Sequence, residues 1–218
     1  MSIDVSVVVS RMFDQNCYIL GRVGAPTVVV VDPGFSTEEL LKALNGKTVA
    51  AVLLTHGHID HIAGVKAVKQ AHPAAPIVIG RGDAAMLTDA NLNLSGMFGM
   101  PLTSLPADRL LDDGETVEYA GLSFTVRAIP GHSPGHIVFI TAGEAPRIVV
   151  GGDVLFAGSV GRTDFPGGSR RVLLEGIRAK LLPLPADTRV LPGHGPETTI
   201  GHEAATNPYL VDAEDSES

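Results

Sequence analysis

Residues 55–61 read Thr-His-Gly-His-Ile-Asp-His, which puts three imidazoles and a carboxylate directly after the apolar run Val49–Leu54 and at the start of a helical pattern, His61–Ala71. A strand that hands over to a helix through such a loop must have a use for these groups. Burying four of them at a strand end without a partner would leave donors and acceptors unpaired, and a metal ion is the usual remedy. In an extended segment His56 and His58 point to the same side and can share one ion. As the chain turns into the helix, Asp60 and His61 rotate away and can serve a second. The helix amino end also favours anions. The chain has one cysteine, Cys17, so a cysteine-rich zinc site is excluded and any ligands are His, Asp or Glu.

Three further candidates follow apolar runs: His132 in Pro-Gly-His-Ser-Pro-Gly-His (130–136), Asp153 in Gly-Gly-Asp (151–153), and His194 in Pro-Gly-His-Gly-Pro (192–196). Each is flanked by glycine, which lets backbones crowd around a small ion. With the cluster they make seven ligands, enough for two ions at about four or five bonds each if one carboxylate and a water bridge them.

The remaining pattern gives strands first and helices afterwards, twice over. In the first half, Tyr18–Leu20, Val28–Val31, Val49–Leu54 and Ile77–Ile79 read as strands. A helix is expected after Ser36, with Ser36 and Glu39 as a capping box, then another over His61–Ala71, and a short one at Asp83–Leu87. In the second half, 115–119, 122–129, 136–141, 147–150 and Arg189–Leu191 read as strands, Ser169–Leu182 as an amphipathic helix, and Thr198–Thr206 as a closing helix stopped by Pro208. This order suggests sheets sandwiched between helices. The stretch 91–101 is apolar but broken by glycine, and its Met97, Phe98 and Met100 either wall an acyl pocket or cover the core. Residues 1–211 read as one domain, and 212–218, Asp-Ala-Glu-Asp-Ser-Glu-Ser, as an acidic disordered tail.

Lys plus Arg number 16 against 24 Asp plus Glu, a formal charge of −8, which argues against a nucleic-acid partner because backbone affinity needs clustered cations. No stretch of about 18 apolar residues is present and the start lacks a cationic leader, so no membrane span or signal peptide is expected and the location reads as cytoplasmic.

The runs HGHIDH (56–61), GHSPGH (131–136), GGD (151–153) and PGHG (192–195), in that order, resemble the metallo-β-lactamase superfamily. Gly-Arg-Thr-Asp-Phe-Pro (161–166) and the ending PGHGPETTIGHEAATNPYL (192–210) resemble its glyoxalase II-like hydrolases, the hydroxyacylglutathione hydrolases. The resemblance implies a single-domain, four-layer αββα sandwich with a dinuclear site at one edge. It implies two divalent ions, zinc foremost with iron or manganese compatible. His56, His58 and His132 would hold one, Asp60, His61 and His194 the other, and Asp153 would bridge. The implied reaction is hydrolysis of a small-molecule thioester, such as lactoylglutathione, by a metal-bridging hydroxide that Asp60 orients. Arg162 stands where these enzymes carry a basic contact to the glutathione moiety, so it is the candidate contact for an anionic thiol carrier. The alternative is a persulfide dioxygenase, which resembles this chain across the same motifs and uses one iron at the positions of His56, His132 and Asp153. The oligomeric state is not set by the sequence.

Overall fold

Apolar runs without alternation, such as Val28–Val31 and Val49–Leu54, need cover on both faces of a strand, and the architecture supplies it. The computed structural model describes residues 2–143 and 145–211, so the expected acidic tail at 212–218 lies outside the described residues. The first half runs β1 (Ile3–Val9), β2 (Asn16–Arg22), β3 (Thr27–Val31), α1 (Thr37–Ala43), β4 (Thr48–Leu54), α2 (Ile59–Ile62), α3 (Val65–Ala71), β5 (Ile77–Gly80), a 3-10 turn (Arg81–Leu87) and β6 (Arg109–Leu111). The six strands form one sheet in sequence order, antiparallel from β1 to β3 and parallel from β3 to β6. The second half runs β7 (Thr116–Tyr119), β8 (Leu122–Ala128), β9 (Ile137–Thr141), β10 (Ile148–Gly152), a small hairpin β11 (Leu155–Phe156) and β12 (Ser159–Val160), α4 (Arg170–Lys180), β13 (Arg189–Pro192), β14 (Thr198–Thr199), α5 (Ile200–Thr206) and α6 (Pro208–Val211). Its main sheet has the order β14-β13-β10-β9-β8-β7.

Alternation within the apolar strands builds three core layers. Val29, Val31 and Leu53 face the other sheet and meet Phe124, Phe139 and Val150 there. Their neighbours Val30, Val52 and Leu54 point the opposite way, onto Leu40, Ile62, Val65 and Val68 of the helices. On the far side Val138, Val149 and Val190 pack under Leu173, Ile177 and Leu181. Helix, sheet, sheet, helix is the expected four-layer sandwich, in one domain. Each fully buried aliphatic side chain contributes about 1.5–3 kcal/mol. Among the described residues no helix is long and apolar enough to cross a membrane.

Several local expectations are corrected. The helix expected over His61–Ala71 is two, because the Gly64 N–H donates to the Pro33 carbonyl at 2.7 Å instead of continuing the ladder, and a side chain at Gly64 would meet the Pro33 and Gly34 carbonyls. Ser36 precedes α1 but forms no capping box: its hydroxyl takes no bond from the helix, and Oγ accepts the Arg11 N–H instead. Thr198 and Thr199 are paired to β13 as a strand, so the helix starts at Ile200, with the Thr199 hydroxyl accepting the His202 N–H. Pro208 opens α6 as well as ending α5, as a proline at a first helical position does.

Candidate metal centre

The strand ends β3, β4, β10 and β13 and the β8–β9 turn all open on one edge of the sandwich, and each delivers a polar residue there: Asp32, His56, Asp153, His194 and His132. All seven ligand candidates come together. His56, His58 and His132 form one group and Asp60, His61 and His194 another, with the ligand atoms in each lying within 4.8 Å of one another; Asp32, His56 and His61 also satisfy that limit. Asp153 sits between the groups. Its Oδ1 is 3.4 Å from His61 Nε2, and its Oδ2 is 3.4 Å from His132 Nε2 and 3.5 Å from His194 Nε2. Glycine makes this spacing possible, since a side chain at Gly193 would overlap Asp153 and His61.

Four of the five imidazoles have their Nδ1 against a fixed oxygen. His56 Nδ1 lies 3.1 Å from Thr55 Oγ1, whose own proton goes to Asp32 Oδ2 at 2.6 Å. His61 Nδ1 lies 3.0 Å from Asp32 Oδ2, His132 Nδ1 2.8 Å from the Arg162 carbonyl, and His194 Nδ1 2.9 Å from the Phe13 carbonyl. An imidazole that donates from Nδ1 carries its lone pair on Nε2, so all four lone pairs turn toward Asp153 and its neighbours. His58 is reversed and presents Nδ1, 2.9 Å from His132 Nε2.

These residues fit divalent cations. Among the described residues His56 Nε2, His61 Nε2 and Asp153 Oδ1 are buried with no hydrogen-bond partner, a cost that ligation removes. The 2.9 Å between His58 and His132 nitrogens is near the ~3.3 Å that two nitrogens at ~2.0–2.1 Å from a tetrahedral ion subtend.

The two groups differ electrically. Burial, then the neighbouring His132, pushes His58 down to about 3, and burial likewise lowers His56, so both of these imidazoles are neutral. Burial also opposes a charge on His194 and His61. Asp153 and Asp60 outweigh it, lifting His194 to about 10 and His61 well above its ordinary value. The second group therefore holds its carboxylates with protons on imidazole, positions that a cation can take over.

Sequence reasoning missed two residues that shape this edge and one that shapes the cavity. Asp32, at φ +50° and 2% exposed, accepts the Thr55 N–H at 2.8 Å besides its bonds to the Thr55 hydroxyl and His61. Asp83, fully buried, accepts from Gly57 N–H, Ser133 Oγ and Gly135 N–H, tying the His56–His61 loop to the turn that carries His132; burial raises its carboxyl. Glu203, also fully buried, accepts from Gly158 N–H, Thr198 Oγ1 and Asn207 Nδ2, and Asn207 reaches the Ser159 carbonyl, so α5 holds the β11–β12 hairpin in place. Each of these carboxylates finds its partners far along the chain or across a turn, so no local pattern signals its role.

A cavity of about 350 Å³ opens over the centre; Phe13, Leu94 and Phe98 line one flank, and Arg162, Phe165 and Val160 the other. Arg162 forms a bidentate pair with Asp164 at 2.7 Å through both contacts, and its guanidinium lies 4.0 Å over the Phe165 ring. Met97, by contrast, is 65% exposed and covers nothing, whereas Phe98 reaches the cavity.

Comparisons with known proteins give the family and the fold. The hydroxyacylglutathione hydrolase GloC of Haemophilus influenzae is 35% identical over 211 residues, 95% of this chain and 98% of that protein. The crystal structure of BLEG-1 B3 metallo-beta-lactamase is 38% identical with a TM-score of 0.90, covering 95% of this chain and all of that one. TTHA1623 in a di-iron-bound form is 36% identical with a TM-score of 0.81, covering 94% of this chain and all of that one. Residues 11–194, which span every strand end that reaches the centre, match the family described as the metallo-beta-lactamase superfamily, and the chain belongs to it.

Proposed function

We propose that this chain hydrolyses a small-molecule thioester, an S-hydroxyacyl thiol such as lactoylglutathione, with two divalent cations, zinc foremost. His56, His58 and His132 would hold one ion, Asp60, His61 and His194 the other, and Asp153 would lie between them. The observation that carries the reading is the set of four imidazoles whose Nδ1 atoms face fixed oxygens, leaving Nε2 turned inward. The name of the GloC relative supports the thioester class.

Bound there, two divalent cations supply a Lewis acid for the carbonyl and a water that ionises near neutral pH. The chain's own share is positional. Asp60 Oδ2, 3.3 Å from His194 Nε2 and on the cavity wall, orients the attacking water. A thiol leaves as its anion, so the site needs no acid beside the leaving group. Arg162 faces the thiol carrier.

A mononuclear iron dioxygenase using His56, His132 and Asp153 would leave the inward-facing His61 and His194 without a use. The test is paired: hydrolysis of lactoylglutathione and oxygen uptake with glutathione persulfide, on one metal-reconstituted preparation. Hydrolysis without oxygen uptake is expected; oxygen uptake without hydrolysis would replace this reading by the dioxygenase.

A further inference from the structure

The two flanks of the cavity are chemically unlike. On the Arg162 side the wall carries an ion pair and the Phe165 ring, which stands edge-on to His58 at 5.4 Å. Beyond His194 and Asp60 the other side carries an apolar wall: the Phe13 ring lies 5.5 Å from Phe98 and 5.9 Å from Phe35, with Leu94 also lining the cavity. This aromatic wall is open to solvent, with Phe13 at 38% and Phe98 at 44% exposure. The segments 12–13 and 92–98 hold Met12, Phe13, Leu92, Met97 and Phe98, five of the nine large apolar residues exposed among those described. Exposed apolar surface concentrated beside a site marks something that docks there.

Two further observations tie the wall to the centre. Phe13 presents its ring to the cavity while its carbonyl faces His194 Nδ1 at 2.9 Å. Phe13 and Leu94 also adopt φ of +69° each, in the left-handed region that bulky residues avoid. Such backbone costs of order 1–3 kcal/mol per residue and is often concentrated at ligand sites. Both residues stand on the same flank.

Resting on the thioester reading, we infer that the Phe13–Leu94–Phe98 wall receives the acyl half of the substrate and that this half is apolar beyond its carbonyl and 2-hydroxyl, with the thiol carrier lying toward Arg162. A lactoyl group, whose side chain is one methyl, leaves the wall mostly unused. Longer 2-hydroxyacyl chains cover Phe98 and are the preferred class. Among the described residues no second lysine or arginine lines the cavity to grip a polyanionic carrier, and Arg162 is already compensated by Asp164. Selection therefore falls on the acyl side.

The experiment is kcat/KM of the metal-loaded enzyme on glutathione thioesters of lactate, 2-hydroxybutanoate and 2-hydroxyhexanoate. The expected result is a rise of about two- to fourfold per added methylene, the upper figure being full burial of a CH2. Phe98→Ala flattens this dependence and Phe98→Leu keeps most of it, with lactoyl turnover changed less than hexanoyl in both. Turnover without dependence on chain length, or a Phe98→Ala loss equal for all three thioesters, would overturn this inference and leave the hydrolase reading standing. No turnover of any thioester would overturn both.

Discussion

His61 Nδ1 and Asp32 Oδ2 stand 3.0 Å apart, fully enclosed, and the same carboxylate receives both the N–H and the hydroxyl of Thr55. One side chain from the end of β3 thereby fixes the ring orientation of His61 and, through Thr55, of His56. Asp32→Asn tests this cleanly, because asparagine tolerates the φ of +50° at this position. An amide cannot accept all three bonds. Metal affinity should fall 10- to 100-fold while circular dichroism stays native, as read by competition with a chromophoric chelator.

Asp83 makes the corresponding link for the first group. Asp83→Asn leaves one of the Ser133, Gly135 and Gly57 donors facing an NH2 group, inside a fully buried junction. The expected loss is about 1–3 kcal/mol in urea unfolding, with weaker metal binding in the same variant. Unchanged stability would mean that the carboxylate is dispensable to the junction.

Arg162 separates a substrate contact from a structural pair. Its bond to Asp164 is exposed, with side chains at 58% and 67% accessibility, so Arg162→Ala should leave the melting temperature nearly unchanged. If the guanidinium meets the thiol carrier, KM for a glutathione thioester rises several-fold with kcat little altered. An unchanged KM would assign Arg162 to shaping the loop alone.

Part of the stability at acid pH comes from carboxylates outside the centre. The Ile77 N–H, and then Lys69 against the opposing effect of burial, holds Asp108 below its ordinary value; Arg81 lowers Asp112; and Arg162 takes Asp164 to about 2. A depressed carboxyl stabilises the fold above the unfolded value near 3.8 and loses that contribution as pH falls through the folded value. The urea midpoint of the metal-free protein should therefore drop between about pH 4 and pH 2, and Asp108→Asn should shorten that drop. Solvent screens the exposed pairs, so each contributes little and the drop is the sum of several.

The ligand candidates were legible because they follow apolar strands, where sequence neighbours remain spatial neighbours: His56, His58, Asp60 and His61 share the junction from β4 into α2. The layered fold was legible in the order of strands followed by helices, repeated in both halves. The supporting carboxylates were hidden by sequence distance. Asp32 looks like the first residue of an Asp-Pro-Gly turn, yet its partner Thr55 is 23 positions on, and Asp83 is 50 positions from Ser133. Three-residue β6 carries too short a pattern to register, and the Ser36 box failed because a capping motif cannot foretell that the hydroxyl will meet Arg11. Phe13 gave no signal at all, since its role depends on a carbonyl meeting His194 from the far end of the chain.

The central claim is a centre of two ions held by two separable ligand groups, and metal stoichiometry tests it most directly. Protein stripped by chelator, reloaded with zinc and exhaustively dialysed is analysed by inductively coupled plasma mass spectrometry, alongside His58→Ala and His194→Ala. The account predicts about two ions per chain for the parent and about one for each variant. One ion per chain in the parent, lost in His58→Ala and unaffected in His194→Ala, would contradict it.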